Sequence, residues 1–209
     1  MESIEKLFKS NRDWCDSISQ SNPNFFNTLS KGQSPEALWI GCSDSRVPPD
    51  TITGMPPGTL FVHRNIANMV VHSDMSLLSV LQYAVEVLKV KHVIVCGHYN
   101  CGGVTAAIKG DPHGLIDNWL LHIIDVYLKY EKELSDIYDL PARADRLSEL
   151  NAYEQVKNLA NTPVIKGAWE RGRELAVHGF IFDMSTGMLK DLNISIRSFE
   201  DIRRVSVPR

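Results

Sequence analysis

Three short apolar runs constrain this chain most: "ALWIGC" at 37–42, "TLFVHRN" at 59–65 and "HVIVCGH" at 92–98. Turn-forming residues bound them, and the first and third are apolar at nearly consecutive positions, while the second reads more simply as a strand. This suits strands buried on both faces of a parallel sheet rather than half-exposed strands that alternate. Between the second and third lies "SLLSVLQYAVEVLKV", apolar on nearly every side and predicted as a buried helix. Strands alternating with helices indicate an α/β fold with a mainly parallel central sheet flanked by helices.

The flanking segments extend that pattern. "NWLLHIIDVYLKYEKEL" is predicted as one long amphipathic helix with Leu120, Ile124, Tyr127 and Leu128 on its apolar face. "TPVIKGAWERG" reads as a helix capped by Thr162, with Pro163 in its first turn and Gly172 at its end. "LAVHGFIFDM" and "MLKDLNIS" flank the turn "STG" and predict a hairpin or edge pair. Near the start, Ile4, Leu7, Phe8, Trp14 and Ile18 recur at helical spacing, ahead of the first core strand. A single domain over 1–209 is expected, comprising a helical arm at 1–32 and an α/β core at 33–209.

Composition narrows the partners. Of 209 residues, 44% are hydrophobic, enough for a sizeable core, and the net charge is -3 without a basic block, which argues against nucleic acid. No run approaches the ~20 apolar residues that span a bilayer. "MESIEKLFKSNRDW" is mixed in charge and lacks a signal-peptide core, so a cytoplasmic protein is expected, with a trimmed organellar presequence also compatible. In that reducing setting Cys15, Cys42, Cys96 and Cys101 should be thiols.

Two of the apolar runs end in polar chemistry, Cys42-Ser43-Asp44-Ser45-Arg46 and His98-Tyr99-Asn100-Cys101-Gly102-Gly103. Open parallel sheets bind ligands beyond the carboxyl ends of their strands, so both clusters can converge on one place. Cys42, His98 and Cys101 together make a Cys2His set of the kind that holds a catalytic zinc with one exchangeable position. A structural zinc, a reactive thiol and chance remain as alternatives at this level. Cys96, inside its strand, reads as a small buried hydrophobe. Asp44 could reach the same ion or pair bidentately with Arg46. That arrangement serves equally as a switch or as a plain ion pair. Gly102 and Gly103 open a helix whose N–H groups could meet a small oxyanion, or they serve the turn alone.

"CSDSR" and "GHYNCGG", about fifty residues apart, resemble the motifs of the β-class carbonic anhydrases, as do "PGTLFVHRNIAN", "NWLLHI" and "VHGF". The resemblance implies reversible hydration of carbon dioxide to bicarbonate and a proton, with one zinc per subunit on Cys42, His98 and Cys101 and Asp44 as the exchangeable fourth ligand. Hydroxide generated at the zinc would attack CO2, oriented by the Asp44–Arg46 dyad. Gln33 would bind substrate, and Phe61, Val62 and Tyr83 are candidates for a dry wall supplied partly by a neighbouring subunit. The resemblance also implies a homodimer or homotetramer embraced by the N-terminal helices. One subgroup of the family has a bicarbonate regulatory pocket, whose residues match Trp39, Gly41 and Arg64. Its tyrosine position falls on Phe182, which implies weaker bicarbonate inhibition. Two other functions share these residues: hydrolysis of another linear molecule such as carbon disulfide, and zinc-dependent regulation without turnover.

Overall fold

In a computed structural model describing residues 2–205, the chain divides into two compact units, the first ending at Ser34 and the second beginning at Pro35. The first contains α1 (Glu2–Ser21) and α2 (Phe25–Leu29). Trp14 meets Phe26 edge-on at 5.5 Å and Phe26 meets Phe25 edge-on at 5.1 Å, an aromatic cluster that closes the turn between the helices. Ile4, Leu7 and Phe8 are left exposed.

The second unit is built on a five-stranded sheet: β1 (Ala37–Cys42), β2 (Leu60–Asn65), β3 (His92–His98), β4 (Ala176–Asp183) and β5 (Met188–Ile196), in the order β2-β1-β3-β4-β5. The first four strands are parallel and β5 runs antiparallel at the edge. Every residue of central β1 is buried, whereas edge strand β2 is half-buried throughout. The β4–β5 connection is the expected hairpin, and Gly187 takes a left-handed φ of 72° in its turn.

Helices cover both faces. They are α3 (Pro49–Thr53), α4 (Met75–Gln82), α5 (Gly102–Lys109), α6 (Ile116–Lys129), α7 (Glu131–Ser135), α8 (Leu140–Ala160), α9 (Pro163–Glu170) and α10 (Phe199–Arg204). Period-two alternation sends Leu38 and Ile40 into one apolar cluster with α4 and α9, and Trp39 into another with α5 and α6. α8 packs across β3 and β4 and contributes to both. Among the described residues, no helix is long and apolar enough to cross a membrane.

Two helical expectations need correction. The segment at 118–134 is not one helix: it breaks at Tyr130 into α6 and α7. Its buried face is Leu120, Ile123, Val126 and Tyr130, and Leu128 is 57% exposed. Apolar residues lie nearly all round this segment, so several stripes compete in the sequence and contact with the core selects one. The segment at 76–90 is only half-buried. α4 runs into a π-turn at Tyr83–Val87, where Leu88 N–H reaches Tyr83 O at 3.0 Å. The wider turn rotates the helix, and Val87 is left 59% exposed.

Candidate metal centre

β1 and β3 are parallel neighbours, with Gly41 opposite Cys96, so the polar residues ending each strand come out side by side. Cys42 ends β1, His98 ends β3, and Cys101 is the N-cap of α5 across a tight turn. Asn100 in that turn has a left-handed φ of 55°. The Cys42 and Cys101 sulfurs are 4.0 Å apart, and one nitrogen of His98 lies within 4.8 Å of both. All three residues are buried. His98 Nδ1–H donates to Tyr99 O at 2.9 Å, because a carbonyl can only accept. That leaves Nε2 as the lone-pair atom, and Nε2 is buried with no hydrogen-bond partner among the described residues. A buried acceptor without a donor is expensive, and two sulfurs converge on the same point.

The protonation pattern also fits a cation. The Cys101 thiol donates to Cys42 and, although burial opposes this, lowers the Cys42 pKa to about 4 together with the neighbouring His98 and the backbone N–H groups of Asp44 and Ala67, the last at 3.4 Å. Cys101 is pushed up by sharing its proton with Cys42 and by burial, while the backbone N–H groups of Gly103 and Val104 work against the rise. At His98 burial disfavours charge, but the adjacent Cys42 outweighs it and the net shift is upward. A divalent ion would displace these shared protons and satisfy all three donor atoms. Cys96 differs: burial raises its pKa, and its thiol donates to Gly97 O at 3.3 Å.

Asp44 is clamped at the rim. Arg46 Nε and backbone N each reach Oδ1 at 2.9 Å, and Arg46 Nη2 reaches Oδ2 at 2.6 Å. This bidentate contact with Arg46 holds the Asp44 carboxyl well below the usual carboxylate range. Oδ2 lies 3.9 Å from His98 Nε2, so the carboxylate stands beside the metal position. Arg64 fixes the backbone underneath, donating to Cys42 O at 2.8 Å and to Asp44 O at 2.5 Å.

The carbonic anhydrase family model matches residues 37–189, which include both polar clusters. A carbonic anhydrase of Emericella nidulans is 49% identical over 202 residues, covering 96% of this chain and 89% of its own. The chain belongs to the β-carbonic anhydrase family. A tetrameric β-carbonic anhydrase of Sordaria macrospora superposes with a TM-score of 0.89 at 44% identity, covering 94% of this chain and all of that one (100%). CafA of Aspergillus fumigatus, another β-carbonic anhydrase, gives 0.90 at 39% identity, covering 97% and 96% of the two chains.

The chain gathers Cys42, His98, Cys101, Asp44 and Arg46 beyond the neighbouring carboxyl ends of β1 and β3. Beside the trio opens a cavity of about 400 Å3, lined by Cys42, Ser43, Asp44 and Gly102 and walled by Ile66, Ala106, Ile116 and Leu120. A Cβ on Gly102 would meet open space, whereas one on Gly103 would come 2.7 Å from Ile66 Cγ2, so Gly103 is required for close packing. Phe61, Val62 and Tyr83 do not line this cavity. Phe61 rests on the Tyr83 ring at 5.8 Å, and Val62 packs against the cluster containing Trp39. Gln33 is an exposed residue of the first unit, between α2 and β1. Trp39 and Gly41 are coupled: the indole lies across the glycine, and a Cβ there would meet Trp39 Nε1 at 2.6 Å. Phe182 is buried opposite His98 on β4.

Sequence reasoning missed the groups that hold the ligands. Ala67, at φ 61°, aims its N–H at Cys42. Asn151 of α8 secures that strained turn by donating to Ala67 O at 2.9 Å. Neither has a sequence signal, since a left-handed alanine looks like any other and Asn151 is a lone polar letter in a helix.

Proposed function

We propose that this protein catalyses the zinc-dependent interconversion of carbon dioxide and water with bicarbonate and a proton. Cys42, His98 and Cys101 would hold the ion, and two soft thiolates with one imidazole favour zinc over hard cations. When bound, zinc supplies the Lewis acidity that makes water nucleophilic near neutral pH. The side chains do the rest. The ionised Asp44 carboxylate can only accept hydrogen bonds, so it takes one hydrogen of the reacting water and turns the oxygen lone pair toward the cavity. Arg46 keeps Asp44 charged and in place. The wall of Ile66, Ala106, Ile116 and Leu120, with His113 also on the lining, offers a small, mostly apolar space that suits a linear apolar molecule.

One observation carries the reading: a buried, unpartnered His98 Nε2 faces two thiols, with a clamped carboxylate 3.9 Å away. A metal held for stability alone has no use for that carboxylate. The test is stopped-flow CO2 hydration with zinc determination on the same sample. One zinc per subunit with rapid hydration supports the reading, and a zinc-loaded but inactive protein overturns it.

A second copy is proposed to cover the exposed Ile4, Leu7 and Phe8 of α1. An active monomer in analytical ultracentrifugation would refute this. Trp39, Gly41, Arg64 and Phe182 are proposed as a weakened bicarbonate pocket. Arg64 is committed to the Cys42 and Asp44 carbonyls, so anion binding must compete with those bonds.

A further inference from the structure

The turn carrying His98 and Cys101 is gripped from outside by one helix. Asp145 Oδ1 on α8 accepts the Asn100 N–H at 2.7 Å. One helical turn later, Glu149 Oε1 accepts the Tyr99 hydroxyl at 2.5 Å, and Lys190 braces Glu149 at 2.6 Å. The gripped residues reach the site through their backbones. Tyr99 O accepts from His98 Nδ1, and Asn100 O accepts from Arg46 Nη2 at 3.3 Å, the same nitrogen that binds Asp44 Oδ2. Asn100 is held at a φ of 55°, a left-handed conformation that asparagine tolerates better than most residues but less freely than glycine. The Asp145 carboxylate fixes the Tyr99–Asn100 peptide, whose own carbonyl is the Tyr99 O bound by His98, and with the Asn100 φ held it constrains the Asn100 carbonyl on the next peptide.

We propose that Asp145 is a positioning residue for the reaction: by anchoring the Asn100 N–H it fixes the Asn100 backbone, whose carbonyl on the following peptide sets where Arg46 sits, and through Arg46 it holds Asp44 beside the metal position. Asp145 touches neither substrate nor metal ligand. The hydrogen-bonded chain runs from α8 to the Asn100 N–H, and from the Asn100 carbonyl to the Arg46 guanidinium and the Asp44 carboxylate. Its far end lies in the loop after β1 and its near end in the loop after β3, so α8 registers the two halves of the site against each other. The proposal rests on the carbonic anhydrase reading above.

The test separates the two. In the zinc-loaded wild type, the Asn100 amide should exchange slowly with deuterium although Asn100 is exposed. Fast exchange there overturns the proposal without any variant and leaves the hydration reading untouched. Asp145→Ala should keep one zinc per subunit, speed Asn100 exchange at least tenfold, and lower kcat about 10- to 100-fold with KM little changed, the scale expected for a small misplacement of a catalytic group. Asp145→Asn retains an acceptor oxygen and should restore both amide protection and most of kcat. Glycine adopts a left-handed φ freely, so adding Asp145→Ala to Asn100→Gly should cost less activity than adding it to wild type. An unchanged kcat, a loss that merely tracks zinc content, or equal losses in the two backgrounds would each overturn the proposal.

Discussion

Two buried polar clusters of this protein invite comparison. At Glu154 on α8, donors converge on one carboxylate: Tyr130 Oη and Lys157 Nζ reach Oε1 at 2.5 and 3.0 Å, and Lys129 Nζ binds Oε2. At Cys42, His98 and Cys101 two sulfurs and one imidazole nitrogen converge with, among the described residues, no cationic side chain aimed at them, and what faces them is a shared thiol proton, the His98–Cys42 contact and backbone N–H groups. The first cluster is electrostatically complete, whereas the second leaves His98 Nε2 buried with no hydrogen-bond partner among the described residues. Titratable residues in proximity are therefore not enough to mark a site. An excess of inward-facing lone pairs is the telling feature, and His98 Nε2 is its clearest instance.

The comparison breaks most sharply at the sulfurs. Cys42→Ser or Cys101→Ser should remove zinc and lower CO2 hydration roughly a thousandfold or more, because the activated water goes with the metal. Full zinc occupancy in either variant would show that the acceptor excess was misjudged. Arg46→Ala comes next. It leaves the trio intact, so zinc should remain, but Asp44 loses its clamp and its pKa returns toward the ordinary range. A fall in kcat of about 10²-fold is expected, the scale of losing one preorganised electrostatic partner. Zinc loss equal to the activity loss would instead make Arg46 a structural support for the ligands. Gln33→Ala probes the substrate role implied by the family resemblance, with an expected loss of about tenfold in kcat/KM for one substrate hydrogen bond. Unchanged kinetics would make Gln33 an ordinary loop residue.

The sequence was most legible where residue type itself carries the physics. β1 and β3 coincide with "ALWIGC" and "HVIVCGH", since the interiors of both strands are unbroken apolar or small letters between turn formers or histidines. The trio was legible because thiols and imidazoles announce soft-metal chemistry and strand ends place them. α8 was the least legible element. It buries Ser148, Asn151, Glu154 and Gln155 alongside Leu147, Leu150 and Val156, so no apolar stripe stands out although it is the longest helix of the core. The supporting shell was invisible for another reason. The Tyr99 carbonyl, the Ala67 amide and the Asn100 amide are backbone groups, and every residue letter but proline spells the same ones.

The smallest predicted effect on activity, and the one that tests the complete cluster, is Glu154→Gln. Burial alone would raise the Glu154 pKa, but Lys129, Tyr130 and Lys157 outweigh it and the net shift is downward. The sign of the linkage follows from that direction. A carboxyl that is more acidic when folded binds fewer protons in the native state, so its contribution is present above the unfolded value of about 4.3 and fades as pH falls through the lower folded value. At pH 7 the amide should cost about 1–3 kcal/mol of stability, because it keeps the shape but loses the charge that three donors face. Zinc content and kcat should stay close to wild type. Melting temperatures of both proteins, measured from pH 7 down to about 3, should converge as the wild-type carboxyl gains its proton. Acid release of the metal lowers both curves alike, so only the gap between them reports Glu154. A gap that persists unchanged to the lowest pH would mean that the amide disrupts packing rather than charge, and the distinction between a complete and an incomplete cluster would lose its electrostatic basis.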